Sequence, residues 1–165
     1  MTKKIGSAIT AKVIQRITGP GGVNAGLGAL ELPGQAAGGM DAGQVRSQNV
    51  AADVAERSGT AQYPAANVYC EKIVNSLEEK FRTFSGSVQM AIEVRHSQDR
   101  LEGLEDAVEL YADAVMQVLN AGRGDWGDGM FYGGEYQVSF GAVKHGGKNF
   151  IQAAKITFEI GVSRN

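Results

Sequence analysis

From residue 154 to residue 162 the chain alternates: Ala154, Ile156, Phe158, Ile160 and Val162 fall on one parity, with Lys155, Thr157 and Glu159 between them. Successive side chains of a strand point to opposite faces, so this run predicts a strand with one face in a core and the other outside it. Such a strand needs neighbours in a sheet and a layer over its apolar side. The neighbours are legible. Val88, Met90, Ile92 and Val94 alternate with Gln89, Glu93 and Arg95 in a second half-buried strand. Tyr136, Val138 and Phe140 supply the apolar face of a third, over 135–143, and Val68, Tyr69, Ile73 and Val74 after Pro64 suggest a fourth. The strands 135–143 and 149–162 meet at "KHGGK", where Gly146 and Gly147 accept the positive φ of a tight turn. The expected product is a long C-terminal hairpin projecting beyond a small sheet.

The covering layer is written at a different period. Leu101, Leu104, Val108, Tyr111, Val115 and Val118 keep to one face of a helix predicted over 100–120. Asp99 with Glu102 reads as its cap, and Gly122 as its left-handed stop. Ile5, Ile9, Val13 and Ile17 predict a second helix over 1–18, ended by Gly19 and Pro20. Lys12 and Arg16 interrupt any apolar run of signal-peptide or membrane-span length, so a docked basic helix is expected rather than a mitochondrial presequence. A chain of 165 residues suits one domain. The fold class is therefore α+β, a single domain over 1–165 with its core at 64–165: an antiparallel sheet of about four strands with helices packed on one face. Residues 19–44, dense in glycine, are expected to be a flexible arm with neither helix nor strand. Residues 45–58 read as a short helix and "NSLEEKFRTF" as a second helical candidate. "GRGDWGDGMFYGG" reads as a structural loop anchored by Trp126 and Phe131.

Chemistry-bearing constellations are missing from the sequence. Cys70 stands alone, which excludes an internal disulfide, fits a reducing compartment and leaves no zinc spacing. His96 and His145 lie in different predicted elements without a Ser or Cys partner. Glu78 with Glu79, and Glu105 with Asp106, are adjacent and so diverge on a helix instead of forming an acid–base pair. The glycine segment lacks a phosphate-loop pattern and follows a helix where a nucleotide loop follows a strand. Asp125 and Asp128 lack the other ligands of a calcium loop. No catalytic residue, cofactor or metal is expected.

Charge is the informative property. The net charge is only −2, yet residues 99–119 carry six acids against one base and residues 141–165 four bases against one acid. The plain reading is solvated surface. The sharper reading is self-complementarity between Glu105, Asp106 and Glu109 on one copy and Lys144, His145, Lys148 and Lys155 on the next, a heterologous contact of the kind that generates rings.

The blocks "EKFRTFSG", "EVRHSQDRLEGLE", "GRGDWGDGMFYGG" and "VKHGGKNFIQAAKITFEIGV" together resemble the tail terminator (tail completion) family of long-tailed bacteriophages and prophages, over about residues 64–165. The resemblance implies a structural virion subunit assembled in the host cytoplasm, usually as a hexameric ring on the head-proximal end of the tail. Its implied partners are further copies of itself, the tail tube protein and the head connector or stopper protein, with no membrane and no transferable catalytic residue. Lysines facing the lumen would touch passing DNA without reading its sequence. The length of the glycine segment keeps a stopper or connector-adaptor ring open as the alternative. Outside that class stand a small nucleotide-binding enzyme, suggested by the glycine segment, and a nonspecific DNA-binding module, suggested by the basic ends.

Overall fold

The computed structural model describes residues 4–30, 39–40, 42–59, 61–146 and 148–165. Within them the chain is a mixed α+β domain built on a curled, open sheet of seven strands, larger than the four expected. The elements are α1 (Ile5–Thr18), α2 (Val23–Leu30), β1 (Val45–Ser47), α3 (Ala52–Arg57), β2 (Ala65–Asn75), β3 (Phe84–Gln98), α4 (Leu104–Ala121), β4 (Gly124–Gly127), β5 (Met130–Phe140), β6 (Lys144–Gly146) and β7 (Asn149–Arg164). Strand order is β1-β2-β3-β7-β5-β4, with β6 also on β7. Only β1 and β2 run parallel. The alternating C-terminal run that implied a sheet is its central strand, paired with β3 on one side and with β5 and β6 on the other.

The expected parities hold on β3 and β7, whereas Phe140 of β5 and Ile73 and Val74 of β2, expected on apolar faces, are exposed. Val88, Met90, Ile92 and Val94 on β3 and Ala154, Ile156, Phe158, Ile160 and Val162 on β7 are buried against Leu104, Val108, Tyr111, Val115 and Val118 of α4 and Ile9, Val13 and Ile17 of α1. Gly19 closes α1 as expected, its N–H bonding to the Gln15 carbonyl at 2.8 Å. The ends of α4 differ from expectation. It begins at Leu104, with Gly103 at φ +81 as its N-cap and no side-chain cap. The sharp left-handed turn that Gly103 supplies displaces the Asp99–Glu102 cap and leaves Leu101 outside the helix and exposed. At the other end Gly122 sits at φ −88, so the stop is not left-handed.

Four segments read as loop or helix fold otherwise. Residues 19–44 contain α2, whose Val23 and Leu27 are buried in the core. It packs on α4 with Gly26 facing Ala114, where an added Cβ would meet the Ala114 backbone at an ordinary contact distance of 3.5 Å. Residues 31–38 and 41 of the expected arm lie outside the described residues, as does Gly147 of the hairpin turn. Residues 45–58 divide into β1 and α3. "NSLEEKFRTF" forms the β2–β3 connection instead of a helix, held by Ser85 and Asn75 hydrogen bonds. "GRGDWGDGMFYGG" is a hairpin: Asp128 and Gly129 both adopt positive φ between β4 and β5, the two-residue turn that matches strand twist. Trp126 is its buried anchor, whereas Phe131 is 55% exposed and anchors nothing.

The C-terminal hairpin is also reshaped. β5 stops at Phe140, and Gln152 bridges the break before β6 by donating from Nε2 to the Gly141 carbonyl at 3.0 Å. The hairpin does not project freely, because β3 accompanies β7 as far as the Gln98–Phe150 pair.

Candidate functional site

The sheet has an inner face under α1 and α4 and an outer face whose cover is partial. Around Arg95 the outer face is closed by the segment carrying α3. Arg95 is 4% exposed, pairs with Glu93 at 2.9 Å and donates to the Val50 carbonyl. Beside it runs a polar network that uses the outward parity of three strands. Tyr69 Oη donates to Glu93 at 3.3 Å, Gln89 donates to Glu71 at 3.0 Å, and Lys155 forms an ion pair with Glu71. The hydrogen bond to Glu71 holds the Lys155 ammonium above its ordinary pKa, and burial followed by the Glu93 charge raises the Tyr69 phenol.

Beyond this network the outer face is bare. The sheet curls there because β5 carries an irregularity between Tyr132 and Tyr136, with Gly134 at φ +98, which bends the strand over β7. The result is an open concavity of about 870 Å³. Its lining includes Glu78, Glu135 and Glu159, together with Gln89, Gln137 and the exposed ring of Phe131. Among the described residues that line it there is no lysine or arginine.

The residues singled out in the sequence sit elsewhere. Glu105, Asp106 and Glu109 are exposed on α4, and Lys144, His145 and Lys148 are exposed at the β6–β7 tip. His145 stacks edge-on against Phe150 at 5.5 Å. Lys155 is drawn apart from this group into its own chain's pair with Glu71. Both remaining groups lie at one end of the sheet. β3 ends at Gln98 opposite Phe150, and α4 begins six residues later at Leu104. The concavity lies at the other end, where Phe131 pairs with Gly161 and Gly86 with Val162. It was missed because the sequence shows the polar parity of Gln137, Thr157 and Glu159 but not the bend at Gly134 that makes this face concave.

Two features of the other readings find structural uses. Of the first helix's bases, Lys12 donates to the Trp126 carbonyl at 2.9 Å and lies 3.5 Å from Asp128, and Arg16 stacks on the Trp126 ring at 4.5 Å. The glycine segment contributes α2, which packs on α4 with Gly26 facing Ala114. No group of three or more His, Cys, Asp or Glu side chains among the described residues is placed to hold a metal ion. No described helix is long and apolar enough to cross a membrane. No protein-family model matches the chain, and no curated protein matches it.

Proposed function

We propose that the chain is a structural ring subunit of a phage neck, a tail terminator that closes the head-proximal end of the tail tube and joins it to the head connector. The observation that carries this reading is where the family-like blocks fall. "EKFRTFSG" and "GRGDWGDGMFYGG" meet at one end of the sheet, through Ser163, whose hydroxyl donates to Glu79 at 2.8 Å and whose N–H donates to the Gly129 carbonyl at 2.8 Å. "EVRHSQDRLEGLE" and the start of "VKHGGKNF" meet at the opposite end, through the Gln98–Phe150 pair. The fourth block, 143–162, supplies most of the central strand β7 that joins these two ends, so the resembling segments form one contiguous sheet body with an exposed surface at each end, as a subunit contacting neighbours on two sides needs.

The partner set that follows is further copies of the chain, the tail tube protein and the connector or stopper. Glu105, Asp106, Glu109, Lys144, His145 and Lys148 are available for such contacts by their exposure. The test is native mass spectrometry of the purified chain together with electron microscopy of tail tubes incubated with it. A single closed-ring mass and density at one end of each tube are expected. Monomers under both conditions, with bare tube ends, would exclude the reading.

A further inference from the structure

We propose that the uncovered concave face of the sheet receives the β6–β7 tip of a second copy of this chain, so that subunits join head to tail; this rests on the ring reading above. The tip offers Lys144, His145 and Lys148, all exposed, with His145 and Phe150 forming an aromatic pair behind the charges. None of these three side chains has an ion-pair partner among the described residues. The concavity offers the opposite complement, Glu78, Glu135 and Glu159 around the half-exposed Phe131 ring, and no base among the described residues that line it. Charge and apolar character therefore match on both sides of the contact.

Geometry makes the contact intermolecular. The tip is at residue 149 of β7 and the concavity at residues 157–161 of the same strand, so the two surfaces lie on the order of 30 Å apart along one strand. Surfaces at opposite ends of one subunit cannot satisfy each other within it. A reciprocal two-fold pair, each tip in the other copy's concavity, would leave no surface free to continue the assembly, so the ring reading selects the heterologous arrangement, in which each subunit gives its tip to one neighbour and its concavity to another until the rotation closes. The acids of α4 are the weaker partner for the tip, because Glu105 and Asp106 stand at the tip's own end of the sheet.

The contact predicts a reciprocal rescue. Glu135→Lys with Glu159→Lys makes one variant of the full chain, with a basic concavity and a basic tip. Lys144→Glu with Lys148→Glu makes the other, with both surfaces acidic. All four positions are exposed, and circular dichroism is expected to show each variant folded. Sedimentation velocity should show each variant alone needing about tenfold or more protein to assemble than the unaltered chain. An equimolar mixture should assemble as the unaltered chain does, in rings that alternate the two variants. If the unaltered chain forms rings and both variants do so equally well, the contact is wrong while the ring reading stands. The same holds if the variants form rings but lose tube binding, which would assign the concavity to the tube protein. If the unaltered chain stays monomeric with and without tubes, the ring reading itself fails and this contact with it.

Discussion

Trp126 shows how one side chain holds elements distant in sequence. Its indole N–H donates to the Gly122 carbonyl at 2.7 Å, Arg16 lies over one face of its ring, and the Tyr132 ring packs 5.7 Å away. α1 is thereby fastened to the β4–β5 hairpin. Trp126→Ala should cost about 3–5 kcal/mol, measured by denaturant unfolding; a loss under 1 kcal/mol would mean the ring is not the fastening. His96 is the second residue with a readable consequence. Burial beneath α4, against the Tyr111 ring at 5.6 Å, lowers its pKa from 6.5. Its Nδ1 and the Oε1 of Gln152, opposite it in the β3–β7 ladder, are buried without hydrogen-bond partners among the described residues. Protonation is therefore easier in the unfolded chain, so the unfolded state binds more protons between the lowered folded value and 6.5. Stability should be level above 6.5 and fall as pH drops through that window. His96→Gln should flatten the fall, and equal slopes in both proteins between pH 5 and 7 would contradict it. The other histidine, His145, is exposed at the tip.

At the scale of elements, legibility followed periodicity. β3, β7, α1 and the body of α4 were readable because each buries one face of a long repeat; the residues named from the spacing are buried there except Ile5, which is partly buried, while Leu110, Ala112, Ala114 and Leu119 of α4 are buried without having been named. α2 was not readable. Three glycines in or beside eight residues read as a breaker, and what stabilises the helix is tertiary packing, with Val23 and Leu27 buried in the core and Gly26 facing Ala114 of α4. β4 was hidden because its length is only four residues, although the Asp128–Gly129 turn signalled a hairpin. The start of α4 moved because backbone geometry at Gly103 overrode a plausible side-chain cap. Leu27, 4% exposed, makes α2 testable. Leu27→Ala should destabilise the domain by about 2–5 kcal/mol, and the amides of Val23–Leu30 should exchange slowly in the isolated chain. Full exchange there within seconds, with no change in stability, would return α2 to the flexible arm the sequence suggested.

For the molecule as a whole, the charge polarity read from sequence persists, but the structure redistributes it. The acidic α4 surface and the basic tip share one end, Lys155 is paired within its own chain, and the acidic concavity occupies the far end. A chain with unlike ends and a sheet left bare over part of its outer face has the surfaces that the lateral, repeating association proposed above requires. A ring that ends tube growth sets tail length by its arrival, whereas a stopper or adaptor ring acts on tails already ended. The most direct measurement is the distribution of tail lengths, by electron microscopy, in lysates of a phage whose copy of this gene has been deleted. Tails far longer than normal and without heads are predicted, returning to normal length and head joining when the intact chain is supplied. Tails of normal length in the deletion would contradict the terminator account.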